Sequence, residues 1–194
     1  ITERKTVQLY GGALEVTLPK DFNDLSEILP VEDNQEVYTD FKFDAKLIIE
    51  VLECLDQNDE TAVVTNFNEL AEANHAIEPV VIEHRQVTDA VPMIGSQSII
   101  KSILKGSQKI IPSKRPTDPR EFVTLLILHL RLKQYDADIL VTLNIPQKET
   151  HTESYENILA YEHAVFELIC SSIEVKDLSL LFGDADLNSA NEDM

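Results

Sequence analysis

The N-terminal part of the chain alternates apolar and polar positions with a period of two residues, which is typical of β-strands. Two such segments, 7–10 and 13–18, flank Gly11-Gly12, and glycine supplies positive φ angles without steric cost. The pattern therefore predicts a β-hairpin closed by a tight two-residue turn. A further short strand is predicted at 36–39, after a polar segment.

Three segments instead show the period of an amphipathic helix. The first covers 44–57, with Asp44 as its N-cap, and the others cover 60–73 and 157–173. The apolar stripe of the first segment consists of Leu47, Ile48, Val51, Leu52 and Leu55.

The clearest strand signal is at 122–132, where the residues of both faces of the predicted strand are apolar over half of its length. A strand of this kind is covered on both sides, and residues 139–145 are predicted to return as its antiparallel neighbour. Residues 99–111 indicate either a pair of strands or one long irregular strand broken near Gly106. Residues 112–119 contain three prolines and form a connection.

A central antiparallel sheet covered by helices on both sides predicts a mixed α/β (α+β) fold, a three-layer α/β/α sandwich. Strands do not alternate regularly with helices, which argues against a doubly wound nucleotide-binding fold. The chain has 194 residues, of which 43% are hydrophobic, enough for one core of ordinary size. We expect a single domain over 1–183 and an acidic, disordered tail over 184–194.

The charge balance narrows the choice of partner. With 16 Lys and Arg against 35 Asp and Glu, the net charge is −19, which excludes non-specific affinity for nucleic acid or an anionic membrane. No apolar stretch approaches the roughly 20 residues that a membrane-spanning helix needs. A basic protein or a cationic ligand is the favoured partner. The two cysteines, Cys54 and Cys170, are expected to be reduced thiols.

Sequence signatures of catalysis are missing from the chain. None of its five glycines forms GxxxxGK[ST] or GxGxxG, and neither GxSxG nor HExxH occurs. We therefore predict no cofactor, no metal and no enzymatic activity, and we interpret His129 as a structural histidine. A rival reading is a small hydrolase that uses the polar loop containing His151 and Ser154.

An acidic turn before the strand at 36–39 is the candidate binding site. It contains Glu32, Asp33 and Glu36, three carboxylates in five residues. A strand and a proline-limited turn would hold them in place to meet a Lys or Arg. The residues alone favour a solvated acidic turn over a binding site, since exposed ion pairs contribute only about 0–1 kcal/mol.

Five short motifs resemble the Ran guanine nucleotide release factor family, the Mog proteins of nuclear transport. The match extends from about Val7 to Gly183, and the order and spacing of the motifs make it specific. In chain order the motifs are Tyr10-Gly-Gly-Ala13, Pro30 with Asp33-Asn-Gln-Glu-Val-Tyr38, Leu130-Arg-Leu132 with Gln134-Tyr-Asp-Ala-Asp138, Asn144-Ile-Pro146 and Asp177-Leu-Ser-Leu-Leu-Phe-Gly183.

The resemblance implies a PsbP-like sandwich and a monomer that binds the small GTPase Ran. It further implies release of guanine nucleotide from Ran without catalysis, a role in nuclear protein import, and a location in nucleus and cytoplasm. In such proteins the acidic residues of the Asp-Asn-Gln-Glu motif contact Ran. They fall here on Asp33 and Glu36, with Asn34 and Gln35 completing the motif. The alternative is a trafficking adaptor that binds other proteins through the acidic face without affecting nucleotide exchange.

Overall fold

The computed structural model describes residues 1–88, 93–94, 97–111 and 119–183. Three α-helices are described, α1 (Asp59–Ala73), α2 (Tyr155–Ser172) and the short α3 (Ser179–Phe182). The strands are β1 (Arg4–Leu9), β2 (Leu14–Pro19), β3 (Phe22–Asp24), β4 (Gln35–Asp40), β5 (Ala45–Glu53), β6 (Ile77–Val87), β7 (Met93–Ile94), β8 (Gln97–Ser98), β9 (Ile100–Ile110), β10 (Glu121–Leu132), β11 (Ala137–Gln147) and β12 (Glu174–Val175).

The large sheet has seven strands in the order β3-β4-β5-β11-β10-β9-β6, and all its neighbours are antiparallel. A small three-stranded sheet, β1-β2-β12, lies apart from it, and β7 pairs with β8. The predicted pairing of the central strand with its return strand is confirmed, with Leu126 opposite Leu143.

Each face of β10 packs in a different core, because side chains alternate along the strand. Leu126, Leu128 and Leu130 point to the side of α2 and of the small sheet, in the larger core. Leu125 and Ile127 point to the other side, where Phe67 of α1 joins them. The helices thus lie on opposite faces of the large sheet, and the expected mixed α/β architecture with a large antiparallel sheet is confirmed.

The prediction of a helix over 44–57 is wrong. Residues 45–53 form β5, which lies between β4 and β11 and pairs with both strands. A continuous apolar run fits a buried strand as well as a helical stripe, since both patterns place apolar residues at neighbouring positions. Asp44 has a positive φ of 56° and belongs to the turn before β5, so it is not an N-cap.

Two details of turns and breaks also differ from the expectation. The turn of the first hairpin is longer than two residues, because Tyr10 as well as Gly11 and Gly12 has a positive φ, of 51°, 65° and 103°. β9 runs without a break through Gly106. A Cβ at this glycine would lie 2.6 Å from the ring of Phe67, so the glycine makes room for α1 and does not interrupt the strand.

A buried arginine organises the junction between β5 and α1. Arg131 of β10 is 2% exposed, and its guanidinium bonds to Asp138, Asp59, Cys54 and the backbone oxygens of Gln57 and Leu55. The chain between β5 and α1 is thus held by a group from β10, two strands away from β5 in the sheet.

The remaining expectations concern two helices, the cysteines, the connection and the tail, and only some of them fall on described residues. The helices predicted at 60–73 and 157–173 are confirmed with small shifts of their ends. Cys54 and Cys170 are free thiols, as predicted. The predicted tail at 184–194 and most of the connection at 112–119 lie outside the described residues. Among the helices that are described, none is both long and apolar enough to cross a membrane.

Candidate protein-binding site

The acidic box, defined as Asp33–Glu36, lies where the chain enters β4 near one end of the large sheet. The neighbouring strand β3 pairs only with the second half of β4, where Asp24 lies opposite Tyr38. The first half of β4 therefore has β5 on one side and the loop 25–34 on the other. The side chain of Asp33 is exposed, and that of Glu36 is half-buried.

Glu36 is fixed by the turn of the first hairpin. Its Oε1 accepts a hydrogen bond of 2.7 Å from the backbone N–H of Tyr10. The hydroxyl of Tyr10 lies 2.8 Å from the carbonyl oxygen of Ile49 and 3.0 Å from that of Asn34, and its single proton serves both acceptors. Burial, and then the charges of Glu36 and Glu50, raise the pKa of Tyr10, so the phenol remains a donor. Tyr10 thereby ties the small sheet to the box.

Asn34 and Gln35 bind the neighbouring strand β5. The side-chain amide of Asn34 donates to the carbonyl of Val51 at 3.3 Å, and its own backbone carbonyl accepts from the N–H of Val51 at 3.0 Å. Gln35 donates from Nε2 to Oε1 of Glu50 at 2.5 Å. Burial raises the pKa of Glu50, and the hydrogen bond from Gln35 opposes this effect. Both residues therefore serve first to position the box.

The box divides between two faces of the sheet. Glu36 lies opposite Ile49, a residue of the α2-side core, whereas Gln35 lies opposite Glu50 on the α1 side. Asp33 precedes the strand in the loop. Of the carboxylates in this segment, Glu36 therefore lies on the Tyr10 side, whereas Asp33 lies in the exposed loop before β4.

Neither carboxylate of this pair is neutralised within the described residues. The salt bridges of that part of the chain include neither Asp33 nor Glu36. The adjoining loop exposes two large apolar side chains, Ile28 at 61% and Leu29 at 53%. Exposed apolar side chains beside fixed charges are typical of a surface that binds protein.

Sequence reasoning missed two residues of the site. Tyr10 was noticed only within the Tyr10-Gly-Gly-Ala13 motif, and nothing in the sequence shows its contact with Glu36, 26 positions away. Glu50 carried a signal, because a carboxylate in the middle of the apolar run 47–52 is unusual.

The rival hydrolase site does not assemble. The hydroxyl of Ser154 caps α2 and accepts from the N–H of Asn157 at 3.3 Å. The ring of His151 packs edge-on against Phe43, and its Nε2 lies 3.7 Å from Asp44. Across the described ranges, no group of three or more His, Cys, Asp or Glu residues is arranged to hold a metal ion. His129 is fully buried, with Nε2 3.1 Å from Asp138.

Comparison with known families identifies the family of the chain. A family model described as "Ran-interacting Mog1 protein" matches residues 7–146, which include the hairpin, the box and both central strands. The chain belongs to the Ran-interacting Mog1 family. The resemblance identified from the motifs is thereby confirmed.

Relatives within the Mog1 family include proteins from animals and fungi. The Ran guanine nucleotide release factor of Danio rerio is 36% identical over 142 residues, covering 71% of this chain and 76% of the relative. The nuclear import protein mog1 of Schizosaccharomyces pombe is 28% identical over 184 residues, covering 92% of this chain and 97% of the relative.

Solved structures confirm the fold. The crystal structure of the Saccharomyces cerevisiae Ran-binding protein Mog1p matches with a TM-score of 0.67 at 22% identity, over 92% of this chain and 98% of that one. The solution structure of PsbP from Synechocystis matches with a TM-score of 0.54 at 13% identity, over 91% and 94% of the two chains. The PsbP-like architecture predicted for the Mog1 family is therefore present here.

Proposed function

We propose that this Mog1-family chain binds the small GTPase Ran through Asp33 and Glu36 and promotes the release of its guanine nucleotide. Residues 1–183 act as one binding unit, as a monomer, in nucleus and cytoplasm, and support nuclear protein import. The observation that carries the proposal is this pair of carboxylates, which form no salt bridge within the described residues; the N–H of Tyr10 fixes Glu36 on β4, and Asp33 lies exposed in the loop before it. The names of the family and of its relatives support Ran as the partner.

Such a protein releases the nucleotide through thermodynamic linkage between its own binding to the GTPase and that of the nucleotide, and no covalent chemistry is needed. A GTPase that holds nucleotide at nanomolar to picomolar affinity gains roughly 12–16 kcal/mol from it. A partner that binds the nucleotide-free form more tightly weakens the nucleotide by the same coupling energy, about 1.4 kcal/mol for each tenfold. Asp33 and Glu36 offer carboxylates to basic groups of Ran that otherwise hold phosphate. The factor then acts stoichiometrically.

The test is the rate at which Ran releases a fluorescent guanine nucleotide. Asp33→Asn and Glu36→Gln remove the charges, and the glutamine keeps an oxygen that accepts from Tyr10. We expect each variant to weaken the acceleration at least about tenfold, since removing one charged partner at a desolvated interface costs about 2–5 kcal/mol.

The matched control is Glu69→Gln, an exposed carboxylate on α1. It has the same change of charge and is expected to leave release unaltered. Equal release by folded wild type, Asp33→Asn and Glu36→Gln would remove the box from the mechanism. Equal effects of all three variants would show that net charge alone, and not the box, governs release.

A further inference from the structure

A trough crosses the α1-side face of the large sheet and has no part in the proposed release. α1 packs over β6, β9 and β10 and leaves the neighbouring part of that face, on β4, β5 and β11, open beside it. The trough has a volume of about 560 Å³ and extends from Gln35 and Glu50 to Gln108 of β9. Four interstrand spacings separate β4 from β9, about 19 Å, which is the length of five or six extended residues.

Two buried side chains that line this trough each have an oxygen atom with no hydrogen-bond partner among the described residues. Gln108 is 1% exposed and Thr142 is 2% exposed. Oε1 of Gln108 and Oγ1 of Thr142 have no hydrogen-bond partner within the part of the chain that is described. A buried polar atom without a partner costs about 1–3 kcal/mol, so a ligand that donates hydrogen bonds here would recover that cost.

The charges at the trough favour a cationic ligand. Glu50, Asp44 and Glu121 line it, together with Lys46 and Lys148. Lys148 is paired with Asp44 at 3.0 Å, and the side chain of Lys46 is exposed to solvent. Glu50 is the buried charge among these groups, at 9% exposure, and its one hydrogen bond from a described side chain comes from neutral Gln35.

An arginine side chain fits these features. Thr142 is the diagonal neighbour of Glu50 on the adjacent strand and the same face, since Glu50 lies opposite Leu140. Diagonal neighbours are about 7–8 Å apart, a distance that one guanidinium bridges with its several N–H donors. The stem of the arginine would pack against apolar side chains of the trough, among them Ile48 and Leu70.

We propose that the trough binds an extended segment of a partner protein, with an arginine whose guanidinium meets Glu50 and Thr142 and a donor that reaches Gln108. The surface is separate from Glu36, because it lies on the other face of β4. The protein thus has a second protein-binding site for a basic, extended chain.

The test is an NMR titration of the whole ¹⁵N-labelled protein with the peptide acetyl-Ala-Ala-Arg-Ala-Ala-amide. We expect shifts at the amides of Glu50, Thr142 and Gln108. The peptide with citrulline in place of arginine is the matched probe, because it has the same shape without the charge, and it should bind at least about tenfold more weakly. Glu50→Gln, which keeps the acceptor for Gln35, should reduce the preference for arginine by a similar factor.

Two further variants separate the trough from general electrostatics. Ala73→Arg places a cation at the exposed rim of the trough, and Asn68→Arg places one elsewhere on α1. Only Ala73→Arg should weaken the binding of the arginine peptide. Three results would each overturn the proposal. The arginine and citrulline peptides could bind equally well, or a peptide with glutamate in place of arginine could bind more tightly through the lysines. The third is the absence of shifts at about 10 mM peptide. No GTPase is present, so this result is independent of the nucleotide-release assay.

Discussion

Replacing Glu162 by glutamine should stabilise the protein increasingly as the pH rises. Glu162 lies on α2 and is 0% exposed, and neither of its carboxyl oxygens has a partner in the described structure. Burial, and then the charges of Asp40 and Asp21, raise the pKa of this carboxyl from 4.5 to about 8. Glu162 is therefore protonated in the folded protein at neutral pH and ionised in the unfolded chain.

The sign and size of the effect follow from proton linkage. Between pH 4.5 and pH 8 the folded state holds a proton that the unfolded state has lost, so the free energy of unfolding falls as the pH rises. At about 1.4 kcal/mol for each unit of pKa difference, the loss from Glu162 between pH 5 and pH 8 is roughly 3–4 kcal/mol. Glu162→Gln removes this titration.

The assay is urea unfolding of wild type and Glu162→Gln at several pH values from 5 to 8. Glu167→Gln is the control, an exposed carboxylate on the same helix. The difference in unfolding free energy between Glu162→Gln and wild type should grow by about 3 kcal/mol across the range, while the control runs parallel to wild type. Parallel curves for Glu162→Gln and wild type would refute the reasoning, as would a Glu162 carboxyl signal that titrates near pH 4.5 by ¹³C NMR.

Three further predictions concern packing, a buried charge and the loop beside the box. Gly106→Ala should lower the free energy of unfolding by about 1–3 kcal/mol, because the new Cβ meets the ring of Phe67. Adding Phe67→Leu in a double variant should restore part of the loss. An unchanged free energy in urea unfolding of Gly106→Ala would contradict the close packing. Asp138→Asn should lower the free energy of unfolding by about 3–5 kcal/mol in the same assay, because it leaves the buried guanidinium of Arg131 without its nearest buried anion. A loss below about 1 kcal/mol would contradict that role. Ile28→Asp should slow Ran nucleotide release without changing stability, since this side chain is 61% exposed beside the box; unchanged release would place it outside the interface.

The sequence predicted the centre of the fold better than its edges. The sequence predicts the strand at 122–132 because apolar residues occupy both alternating faces over half of its length, which leaves few other structures. β5 was misassigned because its buried run is short and continuous, and such a run does not distinguish a strand from a helix. Pairing with β4 and β11 decides the matter, and β11 is distant in sequence.

The position of the candidate site was predictable, but its geometry was not. The acidic composition of Asp33–Glu36 and the family motif indicated the segment. The orientation of Glu36 depends on the N–H of Tyr10, and Tyr10 adopts a positive φ that sequence rules assign mainly to glycine. The division of Gln35 and Glu36 between two faces follows only once the segment is known to be a strand.

The bond between Tyr10 and Glu36 makes the recognition surface discontinuous. A linear peptide that copies residues 30–38 contains every acidic residue of the segment but lacks the amide that holds the glutamate in place. Such a peptide should be a poor competitor, and an antibody raised against it should react weakly with the native protein. Any inhibitor designed to imitate this surface has to be a folded scaffold that reproduces the hairpin turn together with the strand.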